Sequence, residues 1–438
     1  MNPGLVVKLR PTGPWRIGPD SGARNRVDFI YHSDSLYSAV TGAMARLGSL
    51  EDWLAATARG NEPAVRFSSC FPFVDDVGFV VPPRTVWPPT SPAAMSLRVR
   101  WRSARFVPLE VVQSMLAGRP LDDNKWSVDG PSECLVPAGR PGPFRTSLRF
   151  SAAVDRLTGA TERHSTACIE FRAGCGLWTV VSFQDVTAHA RWMGPVKAAF
   201  RLLADSGFGG ERSRGWGRSE APEFTEGDLP EMILPTLGQP EAAVAEAVAE
   251  PVPESAAPAE PPAAEPEQPV GQASWPVFPT ALPAAEPTIA LPAPEVENAG
   301  TASVQSSSVA VLEMEEEVEV AEAPVEEADP VPAPREQEII VVKPGSRAHW
   351  LLSLFTPSEE DSVDWRRGNY TVLARGGRVD SAAGSGELKK QIQMVAEGSV
   401  LYAEAAPCGS AANVAPDGFA HPVYRAGFAL AIPLPEVH

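Results

Sequence analysis

Residues 5–10, LVVKLR, read as a first strand, and residues 27–31 as further extended chain. The period then changes. In SLYSAVTGAMARLG the apolar residues Leu36, Val40, Ala43 and Leu47 recur at three- and four-residue spacing, which predicts a helix with one buried stripe. Ser33 or Asp34 stands where an N-cap belongs, a reading that outweighs Asp34 as a catalytic acid, and Gly48 ends the pattern. Ser49 opens a second short helix with Asp52 three residues on, the spacing of a capping box, and with Trp53 and Leu54 on its apolar side. After proline-rich turns, SLRVRWRSARF alternates Arg98, Arg100 and Arg102 with Val99 and Trp101, so on a strand the three arginines share one face. That face is either a solvated sheet surface or a track for nucleic acid. RTSLRFSAAVDRLTG adds Arg145, Arg149 and Arg156 before a turn, and CIEFRAGCGLWTVVSF reads as a hairpin turning at residues 173–176. Val196, Ala199, Phe200 and Leu203 then mark a helix that ends at Asp205, and a short strand follows from Gly217.

Strand, helix, hairpin, helix and strand in this order suggest an α+β fold of the ferredoxin-like kind over residues 1–220, with insertions. The same sheet carries RNA in RRM domains, but no stretch here matches their aromatic K/R-G-F/Y-G/A-F-V-x-F/Y run. From residue 338 onward EIIVVKP, HWLLSLFTP, NYTVLARGGRVDS, KQIQMVAEGSVLYAE and VYRAGFALAIPL give strand signals separated by turns such as Gly376-Gly377, which predicts a second β-rich or α+β domain over residues 338–438.

Composition separates the two. Residues 221–340 hold 25 acidic residues, one basic residue (Arg335) and 21 of the 46 prolines. Residues 221–337 therefore read as a disordered acidic linker rich in proline, alanine and glutamate. The formal charge of −18 belongs to that linker, since the remaining chain carries 36 basic and 30 acidic residues and could approach a polyanion. Cys70, Cys134, Cys168, Cys175 and Cys408 form no C-x-x-C pair and read as reduced thiols used in packing. Without a signal-peptide pattern or a long apolar run, the expected location is the cytoplasm.

The chemistry concentrates in DSGFGGERSRGWGR, residues 205–218. Gly207, Gly209, Gly210, Gly215 and Gly217 permit positive φ and close backbone approach, while Arg212, Arg214 and Arg218 suit phosphate. A capped helix followed by a plain surface turn explains the glycines equally well. The glycines follow a helix instead of preceding one, which excludes a dinucleotide fingerprint, and Gly209-Gly210-Glu211 lacks the lysine of a P-loop.

Taken together, HSDSLYSAVTGA, RTSLRFSAAVDRLTG, GFGGERSRGWGR, LKKQIQMVAEGSVLY and HPVYRAGFALAIPL resemble the fourth Csm subunit of type III-A CRISPR interference complexes, in the RAMP superfamily. The long acidic insertion departs from that family's compact arrangement. The resemblance implies two ferredoxin-like, RRM-like domains, a non-catalytic subunit without cofactor or metal that binds the 5′ tag of the guide RNA in antiviral defence, and neighbours in the large polymerase-like subunit and a backbone RAMP subunit. It implies RNA contacts at Gly207, Gly209, Gly210, Arg212, Arg214, Gly215 and Gly217, with Arg145, Arg149 and Arg156 as further positions. Arg218, Arg98, Arg100 and Arg102 join them on charge alone.

Two other classes stand beside this one. A metal-independent endoribonuclease of the related guide-processing branch would use His32 or His164 as general acid or base, although either histidine also reads as an ordinary helix-flanking or loop residue. A scaffold would use the acidic linker to recruit a basic partner.

Overall fold

Alternation along the first strand decides the core of the N-terminal part: Leu5, Val7 and Leu9 are fully buried, and the residues between them only partly. The computed structural model describes residues 2–19, 22–89, 101–122, 124–234, 345–381 and 384–435. All of these belong to one unit, in which residues 1–247 and 340–438 cluster together. The remaining linker, with Arg98 and Arg100, lies outside the described residues.

The N-terminal part runs β1 (Asn2–Leu9), α1 (Ser33–Arg46), α2 (Leu50–Ala56), β2 (Val65–Phe67), β3 (Phe71–Val74), β4 (Val77–Val80), β5 (Val107–Pro108), α3 (Leu109–Leu116), β6 (Trp126–Asp129), β7 (Cys134–Pro137), β8 (Phe144–Val154), β9 (Thr161–Phe171), β10 (Cys175–Phe183), α4 (Val186–Ser206) and β11 (Glu223–Leu229). Its main sheet has the order β11-β1-β10-β3-β4-β5, with β2 also on β10, and every pairing is antiparallel. β10 sits between neighbours on both edges and is buried along its whole length. In the chain α1 and α2 lie between β1 and the β2/β3 pair and α4 lies between β10 and β11. The hairpin expected around residues 173–176 does not form: β9 pairs with β8 in a separate ribbon, and β10 leaves the turn to enter the main sheet between β1 and β3, where its largely apolar length is covered.

Local details correct further expectations. His32, not Ser33 or Asp34, is the N-cap of α1, and Leu47 falls beyond the helix and is exposed, while Leu36, Tyr37, Val40, Ala43 and Met44 form the buried stripe. Ser49 caps α2 by position but makes no side-chain cap bond; Trp53 anchors that helix by complete burial and an Nε1 bond to Thr41 Oγ1 of 2.9 Å. β11 lies inside the range expected to be linker, because Glu223–Leu229 completes the open edge of β1 and Leu229, Ile233 and Leu234 are buried. Arg102 is exposed in a turn, so the predicted arginine strand does not extend to it. The five cysteines are all free thiols, and Cys168 faces Ser147 Oγ at 3.2 Å.

The C-terminal part contains β12 (Arg347–Leu351), β13 (Val363–Asn369), β14 (Val372–Arg375), β15 (Arg378–Ser381), β16 (Gly384–Leu388), β17 (Ile392–Val395), β18 (Val400–Ala403), β19 (Gly409–Asn413), β20 (Tyr424–Phe428) and β21 (Ala431–Pro433). The order β13-β18-β12-β21 forms a four-stranded sheet, and β14-β17, β15-β16 and β19-β20 pair separately. Among its described residues there is no helix, which departs from the ferredoxin-like unit expected here. Apolar runs of four or five residues broken by Gly376-Gly377, Gly398 and Gly409 are too short for helical turns to gain from packing. This part keeps a small cluster of its own, Leu351, Phe355, Val395, Leu401 and Ala429, but most of its larger apolar side chains pack elsewhere. Trp350, Leu352, Phe428, Leu430 and Ile432 join the N-terminal core, and Phe428 meets Tyr37 edge-on at 5.5 Å.

Candidate nucleic-acid cleft

The glycine-rich loop leaves α4 at Gly207, whose φ of +77° and N–H bond to Leu203 close the helix. The loop folds back on itself, with Phe208 N donating to Gly217 O and Gly217 N to Pro14 O. A Cβ on Gly217 would lie 2.0 Å from Phe208 O, and one on Gly209 2.7 Å from Arg16 O. At both positions φ is positive as well. The chain's own packing thus requires these glycines, and the space expected for a bound strand at Gly209 is occupied by the Arg16 carbonyl. Arg16 itself is buried, and its guanidinium donates to the carbonyls of Arg24 (2.9 Å), Ala23 (2.9 Å) and Ala167 (2.8 Å). This pins the segment under the loop to β9.

The outer edge of the loop, Gly207 to Gly209 with Arg212, forms one wall of a cleft of about 870 Å³. The exposed side of α1, from Ser35 and Ser38 through Gly42 to Arg46, forms the floor, and the C-terminal part closes the other side with Arg375, Gly376, Gly377, Arg378, Lys389 and Arg425. The lining holds six cationic side chains (Arg46, Arg212, Arg375, Arg378, Lys389 and Arg425) against one carboxylate, Asp34. Small residues on α1 leave the floor open to a bulky ligand, and the cations suit a polyanion.

Asp34 is almost wholly buried and accepts from Arg375 Nε at 3.2 Å, Arg375 Nη2 at 3.0 Å and Arg425 Nη1. Burial alone would raise its pKa, but the two guanidinium groups outweigh that and hold it down at about 2. Beside it, His32 is buried with Nδ1 2.7 Å from Glu397 Oε1 and Nε2 3.3 Å from Asp28 Oδ2. Burial works against the imidazolium, yet Glu397 and Asp28 raise its pKa to about 9. Burial likewise opposes the charges of both carboxyls, but His32 helps to hold them below the ordinary range, aided by Ser69 at Glu397 and Arg105 at Asp28.

The remaining sequence-derived positions scatter. Gly210, Arg214, Gly215, Gly217 and Arg218 do not line the cleft, and Arg214 pairs with Glu211 at 3.1 Å. Arg145 and Arg149 stand on β8 and both pair with Glu170, the former at 3.1 Å; Arg149 borders a separate depression of about 320 Å³. Arg156 is exposed near the hairpin tip, and His164 on β9 has Glu162 at 3.8 Å. Sequence reading misses Arg16, Arg46, Arg375, Arg378, Lys389 and Arg425. The stretch ARGGRV, two arginines around a glycine pair, is the available signal, and locally it reads as no more than a turn.

Residues 345–434 match the family model of the CRISPR Csm4 C-terminal domain. The C-terminal part thus carries this Csm4 domain. The matched range includes the whole far wall of the cleft, from Arg375 to Arg425, together with Glu397. No curated protein sequence matches the chain. Among solved structures, a chain in the crystal structure of a Csm3-Csm4 subcomplex of the type III-A CRISPR-Cas interference complex is similar over 100% of both chains, with 12% identity and a TM-score of 0.51. A match to a chain in the crystal structure of a Csm1-Csm4 cassette in complex with cA4 covers 100% of this chain and 99% of that one, with 15% identity and a TM-score of 0.47. Among the described residues no helix is long and apolar enough to cross a membrane.

Proposed function

We propose that this chain is a Csm4-family, non-catalytic RNA-binding subunit of a type III-A Csm complex, and that its basic cleft holds the 5′ tag of the guide RNA. The observation that carries this is the cleft lining, six cations to one carboxylate on a floor of small residues. We read the N-terminal sheet as ferredoxin-like, since β11-β1-β10-β3 with its two crossing helices is the order of that unit. One structure similar in fold is a Csm3-Csm4 subcomplex, which supports a backbone RAMP subunit as one neighbour. The large polymerase-like subunit as the other follows from the sequence resemblance.

A reading without a catalytic step is supported by the two histidines an endoribonuclease would need. His32 is buried with both ring nitrogens engaged by carboxylates, and His164 stands in the outer half of the β8-β9 hairpin. Replacing Arg212 and Arg378 together by Glu should abolish retention of guide RNA by the purified complex while the subunit still assembles. Full retention in an assembled double variant would remove the cleft from the RNA path.

A further inference from the structure

Asp34 has the wrong charge for a polyanion cleft, yet it sits in the cleft's wall and is nearly inaccessible to solvent. Its two partners come from positions 341 and 391 residues away, on the opposite side of the cleft. Arg375 uses Nε and Nη2 on this carboxylate and also reaches Ser35 Oγ at 3.2 Å. Arg425 uses Nη1 on Asp34 and donates from Nη2 to the carbonyl of Gly376. A chain of bonds therefore runs from Asp34 through Arg425 to the Gly376-Gly377 turn, which carries Arg378 into the cleft lining. Gly377 has φ +129°, and a Cβ there would stand 3.8 Å from Arg425 Nη2, so turn and guanidinium are in close register.

We propose that Asp34 is a positioning residue for RNA: its buried carboxylate fixes Arg375 and Arg425 against the start of α1, and through Arg425 sets the turn that presents Arg378. This rests on the reading of the cleft as an RNA site and adds the residue that orders its far wall. The physical reason is that side chains as buried as Arg375 and Arg425 require a counter-charge, and a guanidinium without one reorients toward water. Bidentate pairing also restricts the rotation of a long side chain, so less entropy is lost when a phosphate arrives. Electrostatics alone makes the opposite prediction, since deleting a negative charge from a basic cleft should strengthen its hold on a polyanion.

The sign of the effect decides between the two. Binding of a labelled single-stranded RNA carrying the guide's 5′ tag is measured by anisotropy on the full chain across a salt series, alongside the melting temperature. Asp34→Asn should weaken binding by about tenfold and lower the magnitude of the slope of log K against log salt by about 0.7 for each phosphate that is no longer neutralised. Asp34→Glu should recover part of both. A folded Asp34→Asn chain that binds as tightly as wild type, or tighter, overturns the positioning role. If Asp34→Asn does not fold, Arg375→Lys carries the test: it keeps the charge but loses the fork, and it should bind several-fold more weakly. Affinity within twofold of wild type in that variant also overturns the proposal. Wild-type protein that ignores the RNA, or whose binding is indifferent to Arg378→Ala, removes the RNA reading itself; binding that needs Arg378 but not Asp34 removes only the positioning role.

Discussion

Gly215 and Gly217 show how differently two glycines of one loop are constrained. Both have φ of +79°, but a side chain on Gly215 meets nothing within 4 Å, whereas one on Gly217 meets Phe208 O at 2.0 Å. Gly215→Ala should cost about 1 kcal/mol, the strain of a left-handed alanine, and Gly217→Ala about 3 kcal/mol or more because the backbone must also move. Urea denaturation of the two variants checks this, and equal losses would mean that the loop is looser than its hydrogen bonds indicate. The glycines are visible in the sequence as turn-makers, but which of them tolerate a side chain depends on Pro14, Arg16 and Phe208, and no local pattern encodes those neighbours. The same holds for Asp34. Its place at the start of a helix matches the signature of a cap, and two arginines more than 300 positions away take it for another purpose.

The start of α1 and the turn before β18 form a second unit of organisation. His32 precedes the helix and Glu397 precedes β18, and the buried contact between them, with Asp28 on the other ring nitrogen, joins the two parts of the chain. Because the His32 pKa rises from an ordinary 6.5 to about 9, its contribution to stability is fully present below pH 6.5 and is lost as pH rises through about 9. Asp34 runs the other way: its contribution is present above its ordinary 3.8 and is lost as pH falls through about 2. Thermal melts from pH 6 to pH 10 should therefore show a falling midpoint toward the alkaline end. In His32→Gln that component of the fall should vanish and the midpoint at pH 6 should drop. An unchanged alkaline limb in the variant would assign the pH dependence to other groups.

At the scale of the whole molecule, the described residues before and after the acidic stretch share one hydrophobic core. Trp350 packs there and donates from Nε1 to Val81 O at 3.1 Å, Ser69 N bonds Leu352 O at 2.9 Å, and Leu354 N bonds Ser33 Oγ at 3.0 Å. A protease site introduced at Ser274 should, once cut, leave two pieces that co-elute in gel filtration without denaturant. The C-terminal piece expressed alone should bind a hydrophobic dye such as ANS, because Leu352, Phe428, Leu430 and Ile432 lose their cover. Separate elution of compact fragments would contradict the shared core.

Residues near in sequence settled what short-range forces can settle. The stripe Leu36, Val40 and Ala43 announced α1, and Val196 to Leu203 announced the end of α4, because helical periods depend on neighbours a few positions apart. The glycine loop was legible as a loop for the same reason. The partners of β9 and β10 on either side of residues 173–176 were decided instead by distant strands. Tertiary structure alone decided that β11 extends into the acidic stretch, that the C-terminal part builds strands without helices among its described residues, and that the basic cleft draws its cations from two remote segments. Those outcomes depend on which open strand edge or apolar face is available after collapse. Arg375 and Arg425 are unremarkable in their own stretches, and they form a site only because burial of Asp34 requires a counter-charge where the two parts of the chain meet.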